Sequence, residues 1–225
     1  MTPKAAHSDA RSAIFASIRE NLLASAPFDA IRHDHHDRAA SESAPTVPTI
    51  RDRAEVIDTF KESLALVGVK YAFVDNEGEA ADRLSEIVNV LKAKKILVSD
   101  SELVHRIVNA SGFDAVQDAS REELFSSDIG VTSAQGAIAE TGTLVLKSGA
   151  ERHRLVSLVP PVHVCILTAG SIRQSMAEIL EMADPNANRT ITFITGASRT
   201  SDIELTLAIG VHGPGELHII VIKDQ

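Results

Sequence analysis

Cysteine is nearly absent from this chain of 225 residues, Cys165 being the only one. An intramolecular disulfide is therefore excluded, as is an iron–sulfur cluster held on the usual set of about four thiolates. Long apolar runs are missing too. The longest, around Val162 to Leu167 and Ile219 to Ile222, are strand-sized and far below the roughly 20 residues that span a bilayer. Positive charge is in deficit, with 22 Lys and Arg against 31 Asp and Glu and a formal charge of -9. A phosphate-backbone binder would have to hide a basic patch in that acidic surface, which argues against nucleic acid as a main partner. No G-x-G-x-x-G follows a strand-like run, and Walker A, C-x-x-C and H-E-x-x-H patterns are all lacking. Dinucleotide dehydrogenases, P-loop enzymes and zincins thus have no support. The opening stretch through Asn21 has no continuous signal-type apolar region and carries Asp9, Arg11, Arg19 and Glu20. A cytoplasmic, reducing location is the expectation.

What is present is an ordinary globular composition, 44% apolar and 24% charged, in an amount that suits one core domain with a terminal extension. Residues 1–50 read as that extension. Ser8 and Asp9 offer N-cap oxygens ahead of Ile14, Ile18 and Leu22, a stripe that predicts an amphipathic helix to about Ser25. Pro27 to Pro48 reads as a polar linker or arm. Its Arg32-His33-Asp34-His35-His36-Asp37 run has metal-ligand chemistry but no regular frame to fix a coordination geometry.

Residues 51–225 read as the core domain. Ala54, Ile57, Phe60, Leu64 and Val67 recur at helical spacing, and Gly68 stands where a helix-terminating glycine belongs. Strand-like runs at 69–74, 95–99 and 128–133 alternate with helical patterns at 77–93 and 101–112. FDAVQ and SREELF predict a further short strand and helix. Such alternation predicts a three-layer α/β/α domain on a mostly parallel sheet. GAIAE and TLVLKS, separated by Thr141-Gly142, predict an inserted β-hairpin. A strand at 162–168, a helix at 171–183, a strand at 190–195, a short helix from about Asp202 and a strand at 216–223 then restore the alternation.

The polar residues that remain fall at strand ends, where open α/β sheets place ligands. One group is Thr132 with Glu140, Thr141 and Gly142. A carboxylate in an apolar run beside a glycine turn could be a base or nucleophile with a pKa raised by burial, although spacing alone favours a structural cap or ion pair. The second group runs from Thr195 to Asp202, with Gly196, Ser198, Arg199 and Thr200 between them, and reads as a strand end and glycine turn leading into a helix start, suited to a carboxylate or phosphate. A plain N-cap is the alternative. His212 and Gly213, in a glycine-rich turn before the last strand, form the third, where a turn histidine is more often structural. His163, His218 and Cys165 sit in apolar strand patterns and read as buried structural groups. Arg152, His153 and Arg154 form a small basic run that reads as a solvated loop.

Taken together, GVTSAQGAIAETGTLVL, RLVSLVPPVH and TGASRTSDIELTLAIGVHGPGELHIIVI resemble the lactate-utilisation protein C family, whose defining unit is the LUD domain. The resemblance runs from about Asp128 to the C-terminus. One departure is Ala197, where the family often has proline. The resemblance implies a fold akin to the NagB/RpiA/CoA-transferase group. It also implies a non-redox subunit of a system oxidising L-lactate to pyruvate, with iron–sulfur clusters in partner subunits and no cofactor in this chain. A small carboxylate or a partner would bind where the three groups meet, and a homo-oligomer is compatible with it. Two other readings stay open: a free-standing CoA- or acyl-transferase-like or isomerase-like enzyme using Glu140, and an assembly or regulatory module without catalysis.

Overall fold

A computed structural model describes residues 12–20, 52–148, 154–182, 190–201, 207–210 and 212–223. The chain divides into two compact units, Met1–Pro48 and Thr49–Gln225. In the first, residues 12–20 form a helix, α1, on which Ile14, Phe15 and Ile18 are exposed. Its expected ends and the His-rich run lie outside the described residues.

The second unit is built on a six-stranded sheet in which every pairing is parallel. In chain order its strands are β1 (Lys70–Val74), β2 (Ile96–Val98), β3 (Ala115–Val116), β4 (Ile129–Ser133), β7 (Val162–Thr168) and β12 (Glu216–Ile222). They lie in the order β1-β12-β7-β4-β2-β3. Alternation along the central strands sends Val164, Ile166 and Ile220 to one face, where α3 (Glu77–Leu91) and α4 (Glu102–Ser111) bury Leu84, Ile87, Val104 and Ile107 against them. Cys165, Leu167, Ile219 and Val221 go to the other face. There they meet α2 (Arg53–Leu66), through Val56, Phe60 and Leu64, and a second sheet, through Ala137, Leu144 and Leu146. Two short helices, α5 (Arg121–Phe125) and α6 (Arg154–Leu158), complete this layer, placing Leu124 and Val156 on Leu97 of β2. The result is a three-layer α/β architecture.

Local chemistry explains the helix boundaries. Asp52 accepts the Ala54 N–H at 2.9 Å to open α2, and Asn76 accepts the Glu79 N–H at 2.9 Å to open α3. Ser120 and Glu123 form a reciprocal capping box on α5. Gly112, at φ +74°, closes α4.

The second sheet departs from the sequence expectation. It contains β5 (Gly136–Ile138), β6 (Thr143–Lys147), β8 (Ile172–Arg173) and β9 (Ile191–Ile194) in the order β8-β5-β6-β9. The hairpin β5–β6 is antiparallel as expected. Its connection is a 3-10 turn, Ala139–Thr141, closed by Gly142 at φ +65°. The helix expected over 171–183 is shorter: Ile172 and Arg173 pair with Ala137 and Ile138 of β5, and helix α7 spans only Met176–Glu181. β9 does not rejoin the parallel sheet but runs antiparallel to β6. The short helix expected from about Asp202 begins outside the described residues. Arg199–Ser201 (β10) and Leu207–Ile209 (β11) pair as antiparallel strands, with 202–206 outside the described residues.

Candidate functional site

Two of the three residue groups converge. The Ser198 N–H donates to the Pro214 carbonyl at 2.8 Å, and the Gly210 N–H donates to the Ser198 carbonyl at 2.9 Å, so the loop after β9 and the loop before β12 are joined through their backbones. Gly196 turns at φ +82°, a conformation open to glycine. A side chain at Gly213 would press on Ser198, with its Cβ 3.3 Å from the Ser198 Cβ. Between these loops, β9 and the end of α6 lies a cleft of about 320 Å³. Ser198, Arg199, His212 and Gly213 line it together with Gly196, and Thr195, Phe193, Leu158 and Leu217 add hydroxyl and apolar wall.

The polar residues of this cleft lie at strand ends, as expected, and the structure shows which ends. His163 and Leu217, at its base, are the second residues of β7 and β12, so the cleft lies at the amino ends of the parallel sheet. A loop that precedes a strand sits at that strand's amino end, and β9 reaches the same place because it belongs to the second sheet.

Charge distinguishes this cleft from its neighbour. No carboxylate side chain is among its described lining residues, whereas Arg199, His163 and His212 are. At the carboxyl ends of β2 and β3 a cavity of about 250 Å³ sets Asp100 and Asp118 against Arg154. In a chain of formal charge -9, a lining with no carboxylate among its described residues repels an anion less than one that carries two. The Arg199 side chain is exposed and donates from Nη2 to the Val67 carbonyl at 3.0 Å, beyond the last turn of α2. That bond occupies one of its five N–H donors, and the fork can still take a carboxylate.

The first group is split. Thr132 is buried in β4, and its hydroxyl lies 2.9 Å from His163 Nε2, so it supports the base of the cleft from below. Its hydroxyl also lies 3.9 Å from the sulfur of buried Cys165. Glu140 is not in the cleft lining. Contrary to the expectation of a buried carboxylate, its side chain is exposed. It accepts the Met176 N–H at 3.3 Å, at the first residue of α7, while its own N–H donates to the Gln174 carbonyl at 3.2 Å. This is the cap that spacing favoured. Gly142 brings the turn against α2, where an added Cβ would lie 3.1 Å from the Leu64 nitrogen. Thr141 reaches the cleft only indirectly: its hydroxyl lies 2.7 Å from that of Thr143, which lies 2.6 Å from that of Thr195. Thr200 lies in β10, and Asp202, Arg152 and His153 lie outside the described residues.

Sequence reasoning left His163 and Leu217 out of the candidate site. His163 is buried, as expected, yet it also floors the cleft. Its apolar flanks carried only the first half of that description. On the opposite face of β12, Glu216 holds His218 and Lys70, with Nε2 and Nζ each 2.5 Å from one carboxylate oxygen. Among the described residues no group of three or more His, Cys, Asp or Glu side chains could hold a metal ion, and no helix is long and apolar enough to cross a membrane.

Comparison with known proteins places this geometry. A lactate utilization protein C from Deinococcus radiodurans is 33% identical over 183 residues, covering 78% of this chain and 84% of the relative. One from Anoxybacillus flavithermus is 28% identical over 181 residues, covering 76% and 82%. The crystal structure of a DUF162 family protein from Deinococcus radiodurans, at 1.70 Å resolution, superposes with a TM-score of 0.61 at 27% identity, covering 76% of this chain and 98% of that one. The LUD domain model matches residues 57–222, which takes in both sheets and the cleft, and the chain belongs to the LUD domain family.

Proposed function

We propose that this chain serves lactate utilisation as the non-redox subunit of a system that oxidises L-lactate to pyruvate, holding a small carboxylate in the cleft between Thr195–Arg199 and His212–Pro214. The observation that carries the reading is the absence of a carboxylate among the described lining residues around Arg199, read together with the names of the relatives. Arg199 would take the carboxylate through its remaining N–H donors. Ser198 and Thr195 would supply hydroxyls, and Leu217 and Phe193 a wall for a short apolar group. A small monoanion matches a site with one permanently charged group. The two electrons of lactate oxidation would pass to iron–sulfur clusters in partner subunits.

The free-standing enzyme built on Glu140 has little support, because that carboxylate caps α7 outside the cleft lining. The test is calorimetry of the purified chain with L-lactate, pyruvate and inorganic phosphate, beside co-purification from lactate-grown cells with iron analysis of what co-elutes. Binding of the carboxylates and recovery of iron-containing partners is expected. A chain that binds none of the three and purifies alone overturns the reading.

A further inference from the structure

The Ala-Glu-Thr-Gly turn stands apart from the cleft, yet a line of three hydroxyls connects the two. Thr141 Oγ1 lies 2.7 Å from Thr143 Oγ1, which lies 2.6 Å from Thr195 Oγ1. The middle hydroxyl is fixed. Thr143 is 3% exposed, sits beside Gly142, whose turn is pressed on the backbone of Ser63 and Leu64, and follows the β6–β9 register that pairs Leu144 with Ile194 and so sets Thr143 opposite Thr195. The two ends differ. Thr141 is exposed, and Thr195 lines the cleft.

A hydroxyl carries one proton and two lone pairs, and among the described residues Thr141 and Thr195 are the partners of the Thr143 hydroxyl, so it donates to one and accepts from the other. If Thr143 donates to Thr195, the Thr195 proton is released to point into the cleft, and Thr195 meets a ligand as a donor. If Thr143 donates to Thr141, then Thr195 must donate to Thr143, and it shows the ligand only a lone pair. Either direction can be completed at Thr141 by solvent. Rotating three protons in concert therefore converts the cleft hydroxyl from donor to acceptor without moving a heavy atom.

We infer that Thr143 is a positioning residue that holds the Thr195 hydroxyl in place in either polarity, so that the cleft accepts both the alcohol and the ketone form of a 2-oxygenated acid. A ketone oxygen needs a donor, and an alcohol proton needs an acceptor. The inference rests on the carboxylate reading proposed above and adds to it how one cleft holds a hydroxy acid and the corresponding oxo acid.

Calorimetry with L-lactate and with pyruvate, on the intact chain and on four variants, tests it. Thr143→Val keeps the shape and removes the hydroxyl, and it is expected to weaken both acids by about three- to tenfold, because the Thr195 hydroxyl that meets them loses the bond that holds it. Thr143→Ser restores the hydroxyl and is expected to restore binding. Thr195→Val should weaken both acids similarly, and the double Val variant no further, because both changes break the same line. Melting of each variant confirms that the protein measured is folded. A Thr143→Val variant that binds both acids like the intact chain, or a double variant whose losses add, overturns the inference and leaves a cross-strand threonine pair. An intact chain that binds neither acid removes the carboxylate reading itself, and the inference with it.

Discussion

The Glu140 carboxylate accepts the backbone N–H of Met176 at 3.3 Å, and Ser175, the N-cap of α7, accepts the N–H of Glu178. Two of the donors that a helix start leaves unpaired are thus met by side chains, one of them from a different strand connection. A carboxylate at this end of a helix is also favoured by the helix dipole.

Glu140→Ala is therefore expected to lower stability by about 0.5–2 kcal/mol, the range for a lost helix cap. Carboxylate binding per folded molecule should be unchanged. Urea unfolding beside calorimetry measures both. A stable variant that has lost ligand would return Glu140 to the site.

Arg199→Ala should reduce affinity for a small carboxylate by about tenfold or more, the loss of one charge-assisted pair. Arg199→Lys keeps the charge but not the planar fork, and should fall between the two. Because the side chain is exposed and its bond among the described residues goes to the Val67 carbonyl, the melting temperature should shift little. Equal affinity across all three proteins would place the anion elsewhere.

Gly130 lets α6 lie flush on β4. An added Cβ would sit 2.0 Å from the Val156 carbonyl oxygen and 2.9 Å from Pro160 Cγ. Gly130→Ala is expected to cost about 3 kcal/mol, as overpacking against backbone does. It should also weaken ligand binding, since α6 carries Ser157 and Leu158 into the cleft wall. A normal melt in this variant would show that α6 can slide off the strand.

Stability should decline on the acid side in two stages. Burial holds the His218 imidazole below its ordinary value, outweighing the opposing pull of Glu216. The bond from Lys70, and then that from His218, holds the Glu216 carboxyl below the usual carboxylate range. Lys70, Arg83, Glu86 and Glu216 all face the same groove as His218. As pH falls below about 6.5 the unfolded chain takes up a proton on His218 that the folded chain resists, and below about 4.5 the unfolded Glu216 does likewise. Unfolding free energy should thus fall first below about pH 6.5, and His218→Gln should flatten that first stage. Urea titrations across the range check it. A wild-type profile flat down to about pH 5 would contradict the assignment.

Deleting residues 1–48 should leave a protein that melts cooperatively, because the LUD domain match lies within 57–222 and the second compact unit begins at Thr49. Self-association or partner binding should weaken, since Ile14, Phe15 and Ile18 leave with the deleted helix. Calorimetry and light scattering distinguish this outcome from a truncated chain that no longer folds.

Much of this architecture was legible in the sequence, because the forces that set it are local. Helical spacing and caps from Asp52, Asn76 and Ser120 define α2, α3 and α5, and short apolar runs define the parallel strands. What sequence could not decide is which strands distant in the chain pair. The run at 190–195 reads like any other buried strand, and only the ladder between β6 and β9 assigns it to the second sheet. From that one pairing follow the amino-end position of the cleft and the meeting of Thr195 with Thr143. Glu140 shows the same limit at the level of one residue. Its apolar neighbours Ala137, Ile138 and Ala139 are fully buried, but a 3-10 turn rotates successive side chains away from the pattern a strand would impose, and Glu140 emerges at the surface beside α7. Local propensity and hydrophobic period act within a turn or two of chain and could be read from residue order; pairing and burial depend on groups 50 or so residues apart, as Thr143 and Thr195 are, and only the folded chain brings those together.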